Sequence, residues 1–251
     1  MTVQQARIRR ASPQTNALAP PEVSSPTPAL RLLLEAGVTV RARRRQRLAL
    51  SLDQAEVLYV VRSGVLLLSA SLPGKRRELL AILYPGDVFR SSFAPPIPDI
   101  SLTAATAVET ARLRWPAVEQ LADADAGVQR YLAGATAALL QRQTMHISAI
   151  GALTGEERAA SFLVDLALRL GTTAGDGIAF EMPLTRSDIA DHLSLNADTL
   201  SRIMSRLKGS GIVHAAGRKR VVISDWRALC ALTPIADILR EQRGFPISSA
   251  A

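Results

Sequence analysis

The segment from Pro183 to Lys208, PLTRSDIADHLSLNADTLSRIMSRLK, constrains the fold more than any other stretch of the chain. Two apolar patterns of helical period flank Ser194-Leu195-Asn196, a break with room only for a tight turn. Thr185 and Asp188 form a capping box with Asp in place of Glu, which predicts a short helix starting there. Ile189 and Leu193 give that helix a buried stripe, and Ala190 is small where a second helix must cross closely. Asn196 is a good N-cap for the second helix, its side chain accepting an N–H of the first turn. In that second helix Leu200, Ile203 and Leu207 recur at i, i+3 and i+7 and build a core face.

Asp198, Ser201, Arg202 and Ser205 fall on a different face, which combines short polar groups with one long, fork-shaped cation. Such a helix suits the major groove of DNA, where arginine pairs bidentately with guanine and a carboxylate accepts from cytosine N4. Between Thr199 and Ser224 there are six basic residues and no acidic one. After the helix, Gly211-Ile212-Val213 and Arg220-Val221-Val222-Ile223 enclose Ala216-Gly217-Arg218-Lys219, a hairpin with a basic tip. A winged helix-turn-helix with double-stranded DNA as partner is the reading this combination supports. Winged domains without DNA ligands share the two helices and the hairpin, but not the polar face and basic wing together.

Upstream the chain changes character three times. Residues 1–30 carry five prolines among Ser, Thr, Gln and Asn and read as a disordered arm. Residues 31–115 hold short β-rich runs, such as Val57-Leu58-Tyr59-Val60-Val61 and Val65-Leu66-Leu67-Leu68, punctuated by Ser63-Gly64, Pro73-Gly74 and Pro85-Gly86. These predict a sandwich or small jelly-roll barrel. Residues 116–150 are rich in helix formers, and Val128, Leu132, Ala135 and Leu139 follow a heptad-like spacing. Arg142 and His146 continue the same stripe. That stripe fits either a helix packed on its own barrel or a dimer helix. Thr154 and Glu157 cap a further helix ending near Gly171, and Thr172 to Gly177 reads as a linker.

Composition excludes several classes. No uninterrupted apolar stretch is long enough to span a bilayer, and no secretory h-region opens the chain, so a cytoplasmic location is expected. The single cysteine, Cys230, excludes an internal disulfide framework and a multi-thiolate iron–sulfur cluster held by one chain. Its setting, Ala-Leu-Cys-Ala-Leu, reads as a buried helical stripe. The charge of +8 is uneven: residues 1–47 hold nine basic and two acidic residues, mostly in the tail and the run Arg41 to Arg47. An exposed, solvated face is the expectation for that run.

The TRSDIADHLSLNADTLSRIMSRL segment, its wing and the YPGDVF turn (Tyr84 to Phe89) together resemble the Crp/Fnr family of bacterial regulators over roughly residues 35–230, more closely its FixK branch. The resemblance implies an α+β chain. It comprises a β-roll like the cyclic-nucleotide-binding jelly roll over 31–115, a long dimerisation helix over 116–150, and a DNA-binding domain over 151–251. It implies a homodimer on a palindromic site, with RNA polymerase as a further partner and no membrane. It raises the dimer reading of the Val128, Leu132, Ala135, Leu139 stripe and puts Asp198, Ser201 and Arg202 at base-reading positions. Thr185, Arg186, Thr199, Ser205, Arg206, Arg218 and Lys219 are the implied backbone contacts. Ser194 stands where the family usually has Gly, at a modest strain cost if the backbone is left-handed there.

The sensing side departs from the cyclic-nucleotide members. The stretch GDVFRSSFAPPIPDISLT (Gly86 to Thr103) has Arg90 as its only cation, so tight cyclic-AMP binding and other cofactors are not expected. The alternative is a ligand-gated sensor whose roll binds haem, a nucleotide or another metabolite. His146, near the roll–helix junction, reads as a surface or seam histidine rather than a haem ligand. A metal-dependent jelly-roll enzyme needs converging ligands, yet His146, His192 and His214 all lie outside the predicted barrel, so no metal site is expected. Nor is there a G-x-S-x-G elbow, and no catalytic residue is assigned.

Overall fold

Strand β4 (Ala55–Ser63) is apolar at every position from Val57 to Val61 because both of its faces are covered. Val57, Tyr59 and Val61 point between two sheets, while Leu58 and Val60 point outward beneath helices. The computed structural model describes residues 26–72, 76–97 and 99–242. Its first sheet contains β1 (Val38–Ala42), β9 (Val108–Arg114), β4 and β3 (Ser51–Leu52) in that order, with β7 (Val88–Arg90) also paired to β4. The second has the order β2 (Arg47–Leu48), β8 (Ser101–Ala104), β5 (Leu66–Leu72) and β6 (Arg76–Leu83). All their pairings are antiparallel. The core between them includes Tyr59, Leu66, Leu68, Leu83, Phe89 and Leu102.

A register shift in the β5–β6 pairing lies opposite Leu80. A bulge of this kind re-aims side chains. Leu80 and Ala81 both face the core between the sheets, and Leu79 and Ile82 face outward. That outward face is covered by the C-terminal domain, not by solvent.

Helix α1 (Pro28–Ala36) starts inside the segment read as an arm. Pro28 occupies the first turn, where its missing N–H is no loss, and Thr27 accepts from the Leu30 N–H at 3.3 Å. The arm reading therefore fails at its last residues; residues 1–25 lie outside those described. The single helix expected over 116–150 is two. Helix α2 (Trp115–Ala124) ends at Asp125, whose extended backbone and side chain cap α3 (Ala126–Ala152) through a 2.6 Å bond to the Gly127 N–H. Helices α1 and α2 and the start of α3 cover the outer face of the first sheet, burying Leu33, Val118 and Val128.

The stripe Val128, Leu132, Ala135, Leu139 faces inward, onto its own roll. This corrects its assignment as the dimer surface. Arg142, which breaks the apolar repeat, sits on the same side and binds Asp87 bidentately at 2.7 and 2.9 Å. Asp87 also accepts from the Tyr84 N–H, and Tyr131 donates to the Gly86 carbonyl, so α3 holds the Tyr84–Asp87 turn. A partnered charge belongs on that face; it does not belong on a symmetric apolar seam.

Helix α4 (Gly155–Leu170) begins with the Thr154–Glu157 capping box. The expected linker from Thr172 to Gly177 is instead a hairpin, β10 (Thr172–Ala174) paired with β11 (Gly177–Glu181). Together with β13 (Arg220–Ile223) and β12 (Val213–Ala215) these strands form one four-stranded sheet. Glycines at 171, 175 and 177 imitate a linker in composition, but they serve the hairpin. Helices α5 (Arg186–His192), α6 (Ala197–Gly209), α7 (Trp226–Ala231) and α8 (Ala236–Glu241) complete the domain. No helix among the described residues is long and apolar enough to cross a membrane.

Candidate nucleic-acid interface

Both predicted helix starts are realised. The Thr185 hydroxyl accepts from the Asp188 N–H at 3.1 Å and donates to the Asp188 carboxylate at 2.6 Å. Thr185 thus supplies the cap, and its hydroxyl is not a free donor. Asn196 Oδ1 accepts from the Thr199 N–H at 2.7 Å. Between the helices Ser194 takes φ +50°, the left-handed conformation that a glycine would adopt without strain. Leu200, Ile203 and Leu207 are buried against α4 and α5, with Ala190 and Leu193 beside them. Burial of such a side chain stabilises by about 1.5–3 kcal/mol, so the core face fixes how α6 rolls.

With that roll fixed, Asp198, Ser201, Arg202 and Ser205 are exposed. Arg202 has no acidic partner among the described residues. Ser201 and Ser205 line a groove between α6 and the β12–β13 wing, whose tip turns at Gly217 with φ +99°. Arg186, Lys208, Arg218, Lys219 and Arg220 line the same groove, and no carboxylate among the described residues does. On the other side of α6, Thr199, Arg202 and Arg206 border the start of α4, where Arg206 pairs with Glu156 at 3.0 Å. An exposed pair of this sort is worth little and exchanges readily.

Sequence reasoning missed one cation. Arg44, in the turn joining β1 to β2, lines the wing groove with Arg186 and Arg218. The turn is built: Arg45, at φ +69°, donates its N–H to the Ala104 carbonyl at 2.7 Å, and Arg43 and Gln46 bond each other. Arg43, Arg44, Arg45 and Arg47 are exposed and no ion pair among the described residues engages them, whereas Arg41 binds Glu109. The run is solvated as expected, yet it borders the wing. The signal was the unneutralised charge; which surface it would join depends on how the domains dock.

They dock through α5. Arg77 of β6 donates to Asp188 at 2.7 Å and Asp191 at 2.9 Å. Burial opposes the charge of the Asp188 carboxylate, but bonds from Thr185 and Arg77 outweigh it and hold its pKa below the usual carboxylate range. His192 of α5 stacks on His146 of α3, so His146 is half-buried at the seam between the two domains and off the exposed face of α3. Arg90, the sole cation of the cassette-like stretch, is occupied by Glu56 at 2.6 Å and lies over the Trp115 ring. Cys230 is half-buried against the C-terminal core, and burial pushes its thiol up to about 11. Among the described residues, no three His, Cys, Asp or Glu side chains gather as a metal site.

Comparison with known proteins agrees with this geometry. Residues 157–232 match the Crp-like helix-turn-helix domain. Over 176 residues the chain is 32% identical to the nitrogen fixation regulation protein FixK of Azorhizobium caulinodans, covering 70% of this chain and 71% of that one. It is 28% identical to the transcriptional activator protein FnrL of Cereibacter sphaeroides over 183 residues, 70% of this chain and 73% of that one. Among solved structures it is similar to FixK2 from Bradyrhizobium japonicum, with a TM-score of 0.68, 28% identity, and coverage of 78% of this chain and 97% of that chain. The fold alone is shared with a CooA mutant from Carboxydothermus hydrogenoformans at 19% identity and a TM-score of 0.65.

Proposed function

The chain belongs to the Crp/Fnr family of DNA-binding transcription regulators, and from that premise we propose that it reads a palindromic site as a homodimer. The observation that carries this is the exposed face of α6 beside a groove with several cations and, among the described residues, no carboxylate. Asp198, Ser201 and Arg202 read base edges. Arg186, Thr199, Ser205, Arg206, Arg218 and Lys219 contact the backbone, with Arg44 and its neighbours reaching flanking phosphates. The regulator acts through RNA polymerase.

The dimer forms through the outer face of α3. Ala133, Ala137, Leu140, Thr144, Ile147 and Gly151 alternate four and three residues apart and are all exposed, Leu140 at 67% and Ile147 at 69%. Two large apolar side chains at heptad spacing among small ones suit close helix pairing. The occupied Arg90 supports a regulator without cyclic-AMP control, and the single cysteine supports one without an iron–sulfur cluster.

Sedimentation and duplex titration of the full chain test the proposal together. A dimer whose DNA affinity falls steeply with salt is expected. A monomer indifferent to duplexes of every sequence at low ionic strength would refute it.

A further inference from the structure

A cavity of about 120 Å³ lies where the roll, α3 and the C-terminal domain meet. Its walls are largely apolar, with Ile82, Leu139, Ile150, Phe162, Leu193 and Leu239 contributed by β6, α3, α4, the residue that ends α5, and α8. One water needs roughly 10–15 Å³ of such space, so the cavity takes a molecule of several heavy atoms.

Its polar groups are unevenly satisfied. Arg142 is neutralised by Asp87, and Arg169 by Asp165 at 2.7 Å. Ser161 bonds Glu157 and Thr233, and Gln143 donates to Leu80. Two nitrogens remain. Arg158 gives one guanidinium N–H to the Ile150 carbonyl at 2.9 Å, but no carboxylate among the described residues pairs with it, and its Nε is shielded from solvent without a partner. His192 Nδ1 is likewise shielded and unpartnered. A buried polar atom left without a partner costs about 1–3 kcal/mol. The lining therefore carries one uncompensated positive charge and two unsatisfied nitrogens in an otherwise apolar chamber.

We propose that this cavity binds a small organic monoanion, a carboxylate on a short aliphatic or aromatic body, with Arg158 meeting the carboxylate. The apolar walls take the body of the ligand. Charge complementarity selects an acid over its amide, because only the acid neutralises Arg158. Burial, followed by the nearness of His146, holds the His192 imidazole neutral, and its bond to the Leu79 backbone leaves Nδ1 as a lone pair that faces the body of the ligand and not its carboxylate. Because the chamber touches α3, α4 and α5 at once, its occupant fixes how the helix-turn-helix sits against the roll. Binding itself is independent of the DNA reading; any effect on DNA affinity rests on that reading.

Calorimetric titration of the full-length protein with hexanoate and benzoate, and with hexanamide and benzamide as neutral controls, tests the site. At least one carboxylate is expected to bind saturably, its amide at least about tenfold more weakly. Arg158→Met, which keeps the reach and removes the charge, is expected to abolish the preference for acid over amide. His192→Phe, which keeps the stack and removes the nitrogen, is expected to leave the preference for acid over amide in place. If His192→Phe fails to fold, Arg158→Met decides alone. Absence of saturable binding by either carboxylate, equal binding of acid and amide, or an unchanged preference in Arg158→Met overturns the proposal. Duplex titration of the same samples separates the two claims: carboxylate binding without DNA binding would leave this site standing and remove the DNA reading.

Discussion

The rings of His146 and His192 stack with centroids 4.0 Å apart and planes within 3° of parallel, joining the long helix α3 to the first helix of the helix-turn-helix. Burial, then the proximity of the other ring, pushes His192 down to about 3 against the opposing bond that the ring donates to the Leu79 backbone; burial and Arg158 also lower His146. The charges facing the pair are Arg158 and the Asp87–Arg142 and Asp165–Arg169 pairs. Because the folded pKa of His192 lies below the unfolded value of about 6.5, the unfolded chain binds more protons between them. The stabilisation is complete above that unfolded value and is lost as pH falls toward 3. Thermal unfolding from neutral pH to about pH 5 is expected to lose stability more steeply in the native chain than in His192→Phe. Parallel slopes would show that the ring titrates elsewhere.

The two faces of α3 are expected to respond differently to substitution. Leu140→Asp with Ile147→Asp places carboxylates on the exposed stripe and is expected to yield a folded monomer by sedimentation. Val128→Ala, at 0% exposure beneath α1 and α2, is expected to cost about 1–3 kcal/mol of stability and leave the dimer intact. The opposite assignment of effects would restore the Val128 stripe as the subunit contact.

Weakened phosphate binding should be read in salt dependence. Replacing Arg218 and Lys219 with Gln is expected to weaken binding to all duplexes alike and to reduce the slope of log affinity against log salt by about 0.9 for each phosphate no longer neutralised. Arg44→Gln is expected to act in the same sense with the share of a single phosphate. An unchanged slope for Arg44→Gln would confine the interface to the C-terminal domain.

The Thr185 hydroxyl caps α5, so Thr185→Ala is expected to cost about 0.5–2 kcal/mol, measured by denaturant unfolding, and to leave the salt slope unchanged. Thr185→Ser should recover most of that loss. If the slope moved instead, Thr185 would be acting on the phosphate backbone.

The DNA-binding helices were legible because their signals are local. Caps at Thr185 and Asn196 and the repeat Leu200, Ile203, Leu207 lie within a few residues of their partners. The left-handed turn at Ser194 was signalled by the family resemblance, which places Gly there. The α3 stripe misled for a physical reason: the helix has two apolar faces, and periodicity records burial without saying what does the burying. Long-range contacts such as the Arg142–Asp87 pair distinguish them. The hairpin at β10–β11 was hidden because its three-residue strand is short and flanked by glycines. Arg44's place beside the wing and the His146–His192 stack depend on domain docking, which leaves no local pattern.

Selection of bound fragments from random duplex DNA by the full-length chain tests the central claim most directly. The expected outcome is an inverted repeat with half-site centres about one helical turn, roughly 10–10.5 base pairs, apart. Arg202→Ala should lose at least one conserved base in each half, at about 1–3 kcal/mol per base pair read. Recovery of no common sequence, or of the same repeat with Arg202→Ala as with the native chain, would contradict the assignment of α6 as the reading helix.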